Sequence, residues 1–197
     1  YLSKKMGLPI NKLVVATNQN DILHRAITNG TYKVEKVAET ISPSMDIQIS
    51  SNFERLIYDL NNFDDKKTIE AMNDIKKKGK YTINKESLGK IKNDFLSTCM
   101  SEEEVLKTIK SVYDKFNLVL DPHSAIGYGA FDKVNLKGKN VVLATAHPCK
   151  FPDAIKKAIN LEAKLPDELS FILDEKENYD IVANNIDEIK QYIKERI

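Results

Sequence analysis

The stretch from Ser51 to Glu54 has the residue types and spacing of a helix capping box, in which the Ser51 hydroxyl accepts a hydrogen bond from the Glu54 amide. A helix N-terminus carries unpaired amides and a partial positive charge, which suit an anion such as a phosphate or carboxylate. Ser51, Asn52 and Arg55 are therefore candidate ligands for an anionic substrate group. The alternative is an ordinary capped helix in which Arg55 forms a structural ion pair.

Polar residues also follow two apolar runs that we predict to be strands. Asn18, Asn20 and Asp21 come after the run at 12–16, and Thr145 follows the run at 141–144. Open α/β sheets bind ligands beyond the carboxyl ends of their strands, so all four are candidate site residues. A hydroxyl such as that of Thr145 can donate to an unprotonated ring nitrogen. The alternatives are a capping turn for the first group and a threonine that merely ends a strand.

The three histidines show no metal-site pattern. His24 lies on a predicted helix, His123 follows Asp-Pro, and His147 precedes a proline. No pair has the spacing of a zinc helix, so we expect no metal. His123 and His147 fall at predicted strand ends, where each could support a loop of the site or carry a proton.

Short apolar runs alternate with helical patterns along the chain, which is typical of an α/β fold. We predict strands at 12–16, 117–120, 141–144 and 171–173. Capping residues, glycines and prolines place the predicted helices at 1–6, 21–27, 51–60, 64–78, 101–116, 152–159 and the C-terminal end. The expected architecture is part of an open, mostly parallel sheet flanked by helices.

The middle of the chain differs in character from its two ends. Asp64–Lys78 reads as a charged helix, 79–84 as a connection, and Ser101 to Glu104 as a second capping box. We therefore expect residues 1–60 to be the first part of an α/β domain and 61–116 a helical insertion. Residues 117–197 would supply the second part of that domain and the C-terminal helix.

The composition is that of an ordinary folded protein. The 197 residues carry 30 Lys and Arg against 29 Asp and Glu, so no general attraction to nucleic acid or to a membrane surface is expected. No apolar run is long enough to span a membrane. Cys99 and Cys149 lie far apart without the spacing of a disulfide framework, which favours reduced thiols and a cytoplasmic location.

Four stretches in one order carry a family resemblance: Ala16–Asp21, Thr40–Arg55, Asp121–Gly127 and Ala144–Pro152. In these stretches the chain closely resembles the threonine synthases, enzymes that use pyridoxal phosphate to convert O-phosphohomoserine and water to threonine and phosphate. The family commonly has alanine where Cys149 stands, so this thiol is not expected to be required.

The resemblance implies a fold-type-II cofactor site. Thr145 occupies the position of the family threonine that meets the pyridine nitrogen, while Asn18, Asn20 and Asp21 would line the cofactor. Ser51, Asn52 and Arg55 would meet the anionic groups of the substrate. The implied reaction removes protons from Cα and Cβ, eliminates phosphate from Cγ and adds water at Cβ, with the cofactor ring as the electron sink.

Two parts of such a site have no match in these residues. The family's Schiff-base lysine motif is absent, and the seven glycines form no phosphate-binding loop. The chain therefore resembles the C-terminal part of the enzyme and is expected to be inactive without the N-terminal half. The alternative is a non-catalytic α/β module for ligand binding or interaction, and the upstream sequence would discriminate between the two.

Overall fold

The computed structural model describes residues 1–197, which divide into two compact units at 1–163 and 164–197. The first unit contains four strands: β1 (Leu13–Thr17), β2 (Thr31–Lys33), β3 (Lys80–Thr82) and β4 (Phe95–Cys99). Its helices are α1 (Leu2–Lys5), α2 (Ile22–Asn29), α3 (Phe53–Leu60), α4 (Asp65–Lys78), α5 (Lys85–Asp94), α6 (Glu102–Phe116), α7 (Pro122–Lys133) and α8 (Pro152–Ile159).

The strands of the first unit form two small sheets. β1 pairs with β4 in parallel, from Leu13 opposite Phe95 to Thr17 opposite Cys99. β2 and β3 pair antiparallel, with Tyr32 opposite Tyr81. The expected α/β class, with a parallel sheet flanked by helices, is thus confirmed.

Local signals set most of the helix ends. The Asp64 side chain accepts the Lys67 amide at the start of α4, and Gly79 ends that helix in the left-handed region at φ 64°. The predicted capping box of α6 is confirmed, since Ser101 and Glu104 bond each other's amides reciprocally. None of the helices combines the length and apolar character needed to cross a membrane.

Two apolar cores hold the first unit together. The first joins α2, β2, α3, α4 and α5, and within it the rings of Tyr32 and Phe53 stack with centroids 5.2 Å apart. The second lies among α6, α7 and α8. Gly129 of α7 lies so close to this second core that a Cβ there would be 2.5 Å from Met100 Cε. The buried members of the second core are Met100, Val105, Ile109, Ala125, Ile126 and Ile155.

Several predicted strands are wrong. Residues 117–120 form no ladder, because Asn117 is the left-handed C-cap of α6. The run at 141–144 has no neighbouring strand, and its Val141 and Leu143 side chains are 86% and 75% exposed. Residues 171–173 belong to a 3-10 helix.

Three strands were not predicted. β2 lies directly after α2, where no strand was expected. β3 lies in the expected connection at 79–84, where it pairs with β2. β4 lies within the range 61–116 that we expected to be helical. It has only two apolar residues before the polar residues begin at Ser97, so it lacks the longer apolar run by which a buried strand is predicted.

The second unit contains the 3-10 helix Asp167–Leu173 and α9 (Ile186–Lys194). The Asn185 side chain accepts the amides of Asp187 and Glu188 at the start of α9. The Arg196 guanidinium lies 3.6 Å from the ring centroid of Tyr192, and Arg196 also pairs with Asp180.

Candidate functional site

Asn18 and Asn20 follow β1 directly and hold a neighbouring loop, which we call the 38–48 loop after its residues. Asn18 Nδ2 lies 2.7 Å from Asp46 Oδ1 and 2.9 Å from the hydroxyls of Thr40 and Ser42. Asn20 Nδ2 donates to the Ala38 carbonyl at 2.8 Å and to Asp46 Oδ1 at 3.0 Å. Both side chains are buried. Their amide hydrogens are used within the chain, so these residues shape the loop beside the end of β1.

Asp46 is the acceptor at the centre of the 38–48 loop. Besides the two asparagine amides, its carboxylate accepts the Thr40 hydroxyl at 2.7 Å and the Thr40 amide at 2.8 Å. Charge-assisted bonds of this kind are stronger than neutral ones. They fix a loop that has no regular secondary structure apart from one 3-10 turn at Pro43–Met45.

Asp21, the third polar residue after β1, does not join this cluster. It pairs with Arg25 at 2.8 Å, and Arg25 also lies 3.3 Å from Glu35. Although Asp21 precedes α2, its side chain accepts no capping bond.

A second polar cluster forms at the start of α7. The Asp121 side chain accepts the amides of His123 and Ser124, as an N-cap does. Asp121 Oδ1 also lies 2.9 Å from His123 Nδ1, and Oδ2 accepts the Ser124 hydroxyl. On the other side of the imidazole, Nε2 accepts the Ser44 amide at 3.2 Å. This second cluster therefore contacts the 38–48 loop.

Thr145 is attached to the same cluster through its backbone. Its amide donates to Ser124 Oγ at 3.1 Å. Its side chain is exposed, and its hydroxyl makes no hydrogen bond within the chain. The hydroxyl is therefore free to donate to a ligand.

His147 lies two residues beyond Thr145 and is exposed. Its Nδ1 accepts the Cys149 amide at 3.2 Å, which caps the 3-10 turn Pro148–Lys150. The following Phe151 packs against His123, with ring centroids 4.7 Å apart. His24 is separate from both, with Nδ1 2.9 Å from Ser97 Oγ.

The predicted capping box at Ser51 is wrong. α3 begins at Phe53, and Asn52 stands at its N-cap with φ −70° and ψ −20°. These are helical angles, whereas a capping side chain needs the extended conformation, and no side-chain capping bond forms. Ser51, Asn52 and Arg55 are exposed, and Arg55 forms no ion pair, so neither the box nor the alternative structural pair is present.

The structure thus brings Asn18, Asn20, His123 and Thr145 into one connected polar network, and leaves Asp21, His147 and the Ser51–Arg55 segment outside it. The candidates predicted from the sequence did not include three residues that make the connections, Asp46, Asp121 and Ser124. The Asp-Pro pair at 121–122 is a recognisable helix start that could have indicated Asp121 as a cap. No local signal indicates Asp46.

Cys99, at the end of β4, borders the network. Burial raises the pKa of the Cys99 thiol above its ordinary value. The thiol therefore stays protonated near neutral pH, and its Sγ lies 3.2 Å from the Asn18 carbonyl oxygen. No group of three or more His, Cys, Asp or Glu side chains is arranged to hold a metal ion.

Comparison with known proteins places this geometry in context. A protein-family model described as "Threonine synthase, C-terminal" matches residues 124–193. Among curated proteins, the chain is 37% identical to the threonine synthase of Pseudomonas aeruginosa over 99% of this chain and 42% of that protein. It is 42% identical to the threonine synthase of Saccharomyces cerevisiae over 81% of this chain and 35% of that protein.

Solved structures give the same result. A PLP-bound threonine synthase from Brucella melitensis matches with a TM-score of 0.86 and 42% identity, over 99% of this chain and 42% of that chain. The threonine synthase from yeast matches with a TM-score of 0.82 and 37% identity, over 99% and 44%. The chain therefore spans less than half the length of these relatives.

Proposed function

We propose that this chain supplies part of the active site of a threonine synthase. The premise is that it corresponds to the C-terminal part of such enzymes. The reaction would convert O-phospho-L-homoserine and water to L-threonine and phosphate with pyridoxal phosphate as cofactor. The observation that carries this proposal is the match of 99% of the chain to a PLP-bound threonine synthase at a TM-score of 0.86.

The residues present fit one side of the cofactor. Thr145 combines a backbone amide anchored on Ser124 Oγ with an exposed hydroxyl that has no partner in the chain. Such a hydroxyl can donate to an unprotonated pyridine nitrogen, and the anchored amide limits where it can lie. When bound, pyridoxal phosphate supplies an electron sink that stabilises negative charge on substrate carbons.

The other candidate residues take supporting or substrate-binding roles in this proposal. Asn18 and Asn20 fix the 38–48 loop beside the end of β1, while Asp21, paired with Arg25, would line the cofactor from outside this network. His123 and His147 support the loops that carry Ser44 and Thr145. Ser51, Asn52 and Arg55 are exposed and unpaired, so Arg55 is free to bind the anionic groups of the substrate.

Two requirements of the chemistry must be met by residues outside these 197. The seven glycines form no loop whose amides could surround a phosphate, and no lysine lies in the network described above. We propose that a further segment of the same enzyme provides the cofactor-binding lysine and the phosphate loop, and that this chain alone is inactive.

The division into 1–60, 61–116 and 117–197 stays a prediction. A cytoplasmic location is proposed from the two free cysteines.

The test compares this chain with the full-length product of its gene. Each is mixed with pyridoxal phosphate, its visible absorbance is recorded, and it is reduced with borohydride before peptide mass mapping. We expect one labelled lysine in the full-length protein, outside these residues, and no specific label in the 197-residue chain. A stoichiometrically labelled lysine within these residues would contradict the division of the site, and a full-length protein without any label would refute the proposed cofactor.

A second measurement tests Thr145 itself. In the full-length protein, Thr145→Val removes the hydroxyl but keeps the size and branching of the side chain. Loss of one hydrogen bond to the cofactor should weaken its binding about tenfold. Unchanged affinity for pyridoxal phosphate would refute the role of Thr145.

A further inference from the structure

Asp121 is shared between two loops of the candidate site. One carboxylate oxygen contacts His123 Nδ1 at 2.9 Å, and His123 Nε2 accepts the Ser44 amide from the 38–48 loop. The other oxygen accepts the Ser124 hydroxyl, and Ser124 Oγ accepts the Thr145 amide. A single side chain therefore connects the loop beside β1 with the residue proposed to meet the cofactor.

The carboxylate also sets the direction of both chains of hydrogen bonds. Because a carboxylate only accepts, His123 Nδ1 must carry the hydrogen toward it, which leaves Nε2 as the acceptor that the Ser44 amide requires. By the same argument Ser124 donates its hydroxyl hydrogen to Asp121, so the oxygen lone pairs face the Thr145 amide. Both outer contacts depend on the acceptor character of Asp121.

Burial makes this arrangement difficult to replace. Asp121, His123 and Ser124 are 1%, 6% and 3% exposed, so water cannot substitute for a lost partner. The Thr145 hydroxyl, in contrast, lies at the exposed end of the chain of contacts. The buried groups therefore act on a ligand only through the loops they hold.

We propose that Asp121 is a positioning residue of the cofactor site, acting through Ser124 on Thr145 and through His123 on the 38–48 loop. The inference rests on the proposed function, because it requires the Thr145 hydroxyl to contact the cofactor. It assigns to Asp121 and Ser124 an effect on cofactor affinity that is separate from capping α7.

The test is a double-mutant cycle on the full-length gene product, with the dissociation constant for pyridoxal phosphate as the measured quantity. Asp121→Asn and Ser124→Ala are each made alone and together with Thr145→Val. As single changes, each should weaken binding about three- to tenfold, because one anchoring hydrogen bond is lost. In the Thr145→Val background Ser124→Ala should have less than about a twofold further effect, since the group it positions is already gone. The effect of Asp121→Asn should shrink in that background to the part that acts through His123 on the 38–48 loop.

Two further variants separate positioning from helix capping. Asp64→Ala removes the equivalent cap of α4, where Asp64 accepts the Lys67 amide at 3.1 Å outside the network, and should leave cofactor affinity unchanged. Ser124→Thr retains the hydroxyl and should restore affinity to within about twofold of the unchanged protein. If Asp121→Asn fails to fold, the Ser124 variants alone complete the cycle.

The outcomes distinguish the two proposals. If Thr145→Val weakens binding but Asp121→Asn and Ser124→Ala do not, the positioning role is overturned and the proposed function stands. Losses that remain fully additive in the Thr145→Val background also overturn it, because they show that Asp121 and Ser124 act independently of Thr145. If Thr145→Val leaves affinity unchanged, the role of Thr145 in the proposed function fails first, and the inference fails with it.

Discussion

Replacing Asp46 by asparagine removes one oxygen from a carboxylate that accepts four hydrogen bonds, from Asn18, Asn20 and both the hydroxyl and amide of Thr40. Three of these bonds reach Oδ1 and one reaches Oδ2. If the asparagine keeps its oxygen on the Oδ1 side, its NH₂ group faces the Thr40 amide. Two donors then oppose each other.

The magnitude follows from these contacts. A hydrogen bond to a charged group contributes about 1.5–3 kcal/mol and a neutral one about 0.5–1.5 kcal/mol, so each of the three retained bonds weakens by about 1 kcal/mol. The unpaired Thr40 amide adds about 1–3 kcal/mol if water is excluded. Asp46 and Thr40 are only half-buried, so water recovers part of both terms. We expect the Asp46→Asn change to lower the local stability of the 38–48 loop by about 2–3 kcal/mol.

Hydrogen–deuterium exchange of the full-length protein measures this local stability directly. The Ala38, Thr40 and Ser42 amides all donate to side chains of the cluster, so their exchange reports loop opening. A loss of 2–3 kcal/mol corresponds to exchange about 30- to 150-fold faster. Peptides from α6 should exchange as before and serve as the internal reference.

Asp64→Asn is the matched control, because its cap lies on another helix and should leave the 38–48 loop unaffected. The reasoning is refuted if the loop amides of the Asp46→Asn variant exchange within about threefold of their rate in the unchanged protein. A threefold difference in rate corresponds to less than about 1 kcal/mol of local stability. It would mean that Asp46 does not hold the loop.

Three other changes test the fold and the buried thiol. Ser101→Ala removes the capping box of α6 and should lower the free energy of unfolding by about 1 kcal/mol. Ser111→Ala, on the exposed face of the same helix, should not lower it. Equal effects of the two changes in chemical denaturation would contradict the capping argument. Gly129→Ala places a Cβ 2.5 Å from Met100 Cε, so the buried Met100 side chain must shift, and this offsets the gain in helix propensity. Gly89→Ala in α5 meets open space and should stabilise by up to about 1 kcal/mol, more than Gly129→Ala does; the opposite order in thermal unfolding would show that the α7 packing is looser than described. Because burial raises the pKa of Cys99, the native protein holds a proton there that the unfolded chain loses, so stability falls as pH rises through that interval. Alkylation of the Cys99 peptide, followed by mass spectrometry, should therefore need a higher pH in the native protein than in denaturant, and coincident pH profiles would argue against the effect.

The sequence predicts those elements whose signals are local. Ser101 and Glu104 lie three residues apart and form the box they indicate, and Gly79 ends α4 as expected. The same pattern at Ser51 forms no box, because α3 begins two residues later, at Phe53, and no side-chain capping bond forms. The residue types therefore indicate a helix start in this region but do not determine which residue caps it.

Sheet pairing and the site depend on contacts between distant residues. The run at 141–144 has the composition of a buried strand, but a ladder requires a neighbouring strand that these residues do not supply. β4 is hidden by Ser97, Thr98 and Cys99, although it forms half of the parallel sheet. Asp46 is 28 residues from Asn18, so no spacing rule could have linked them.

The pairing of β1 with β4 also constrains how the chain folds. It brings together residues 81 positions apart, such as Thr17 and Thr98, so the chain must close a long loop before the sheet gains any stability. We therefore expect the helices between the two strands to form earlier, and this sheet to be a slow step of folding. Closure entropy grows only logarithmically, by about 0.6 kcal/mol for each doubling of the loop, so segments between the two strands can lengthen at little thermodynamic penalty. The parallel pair thus slows folding while tolerating insertions at the surface between its strands.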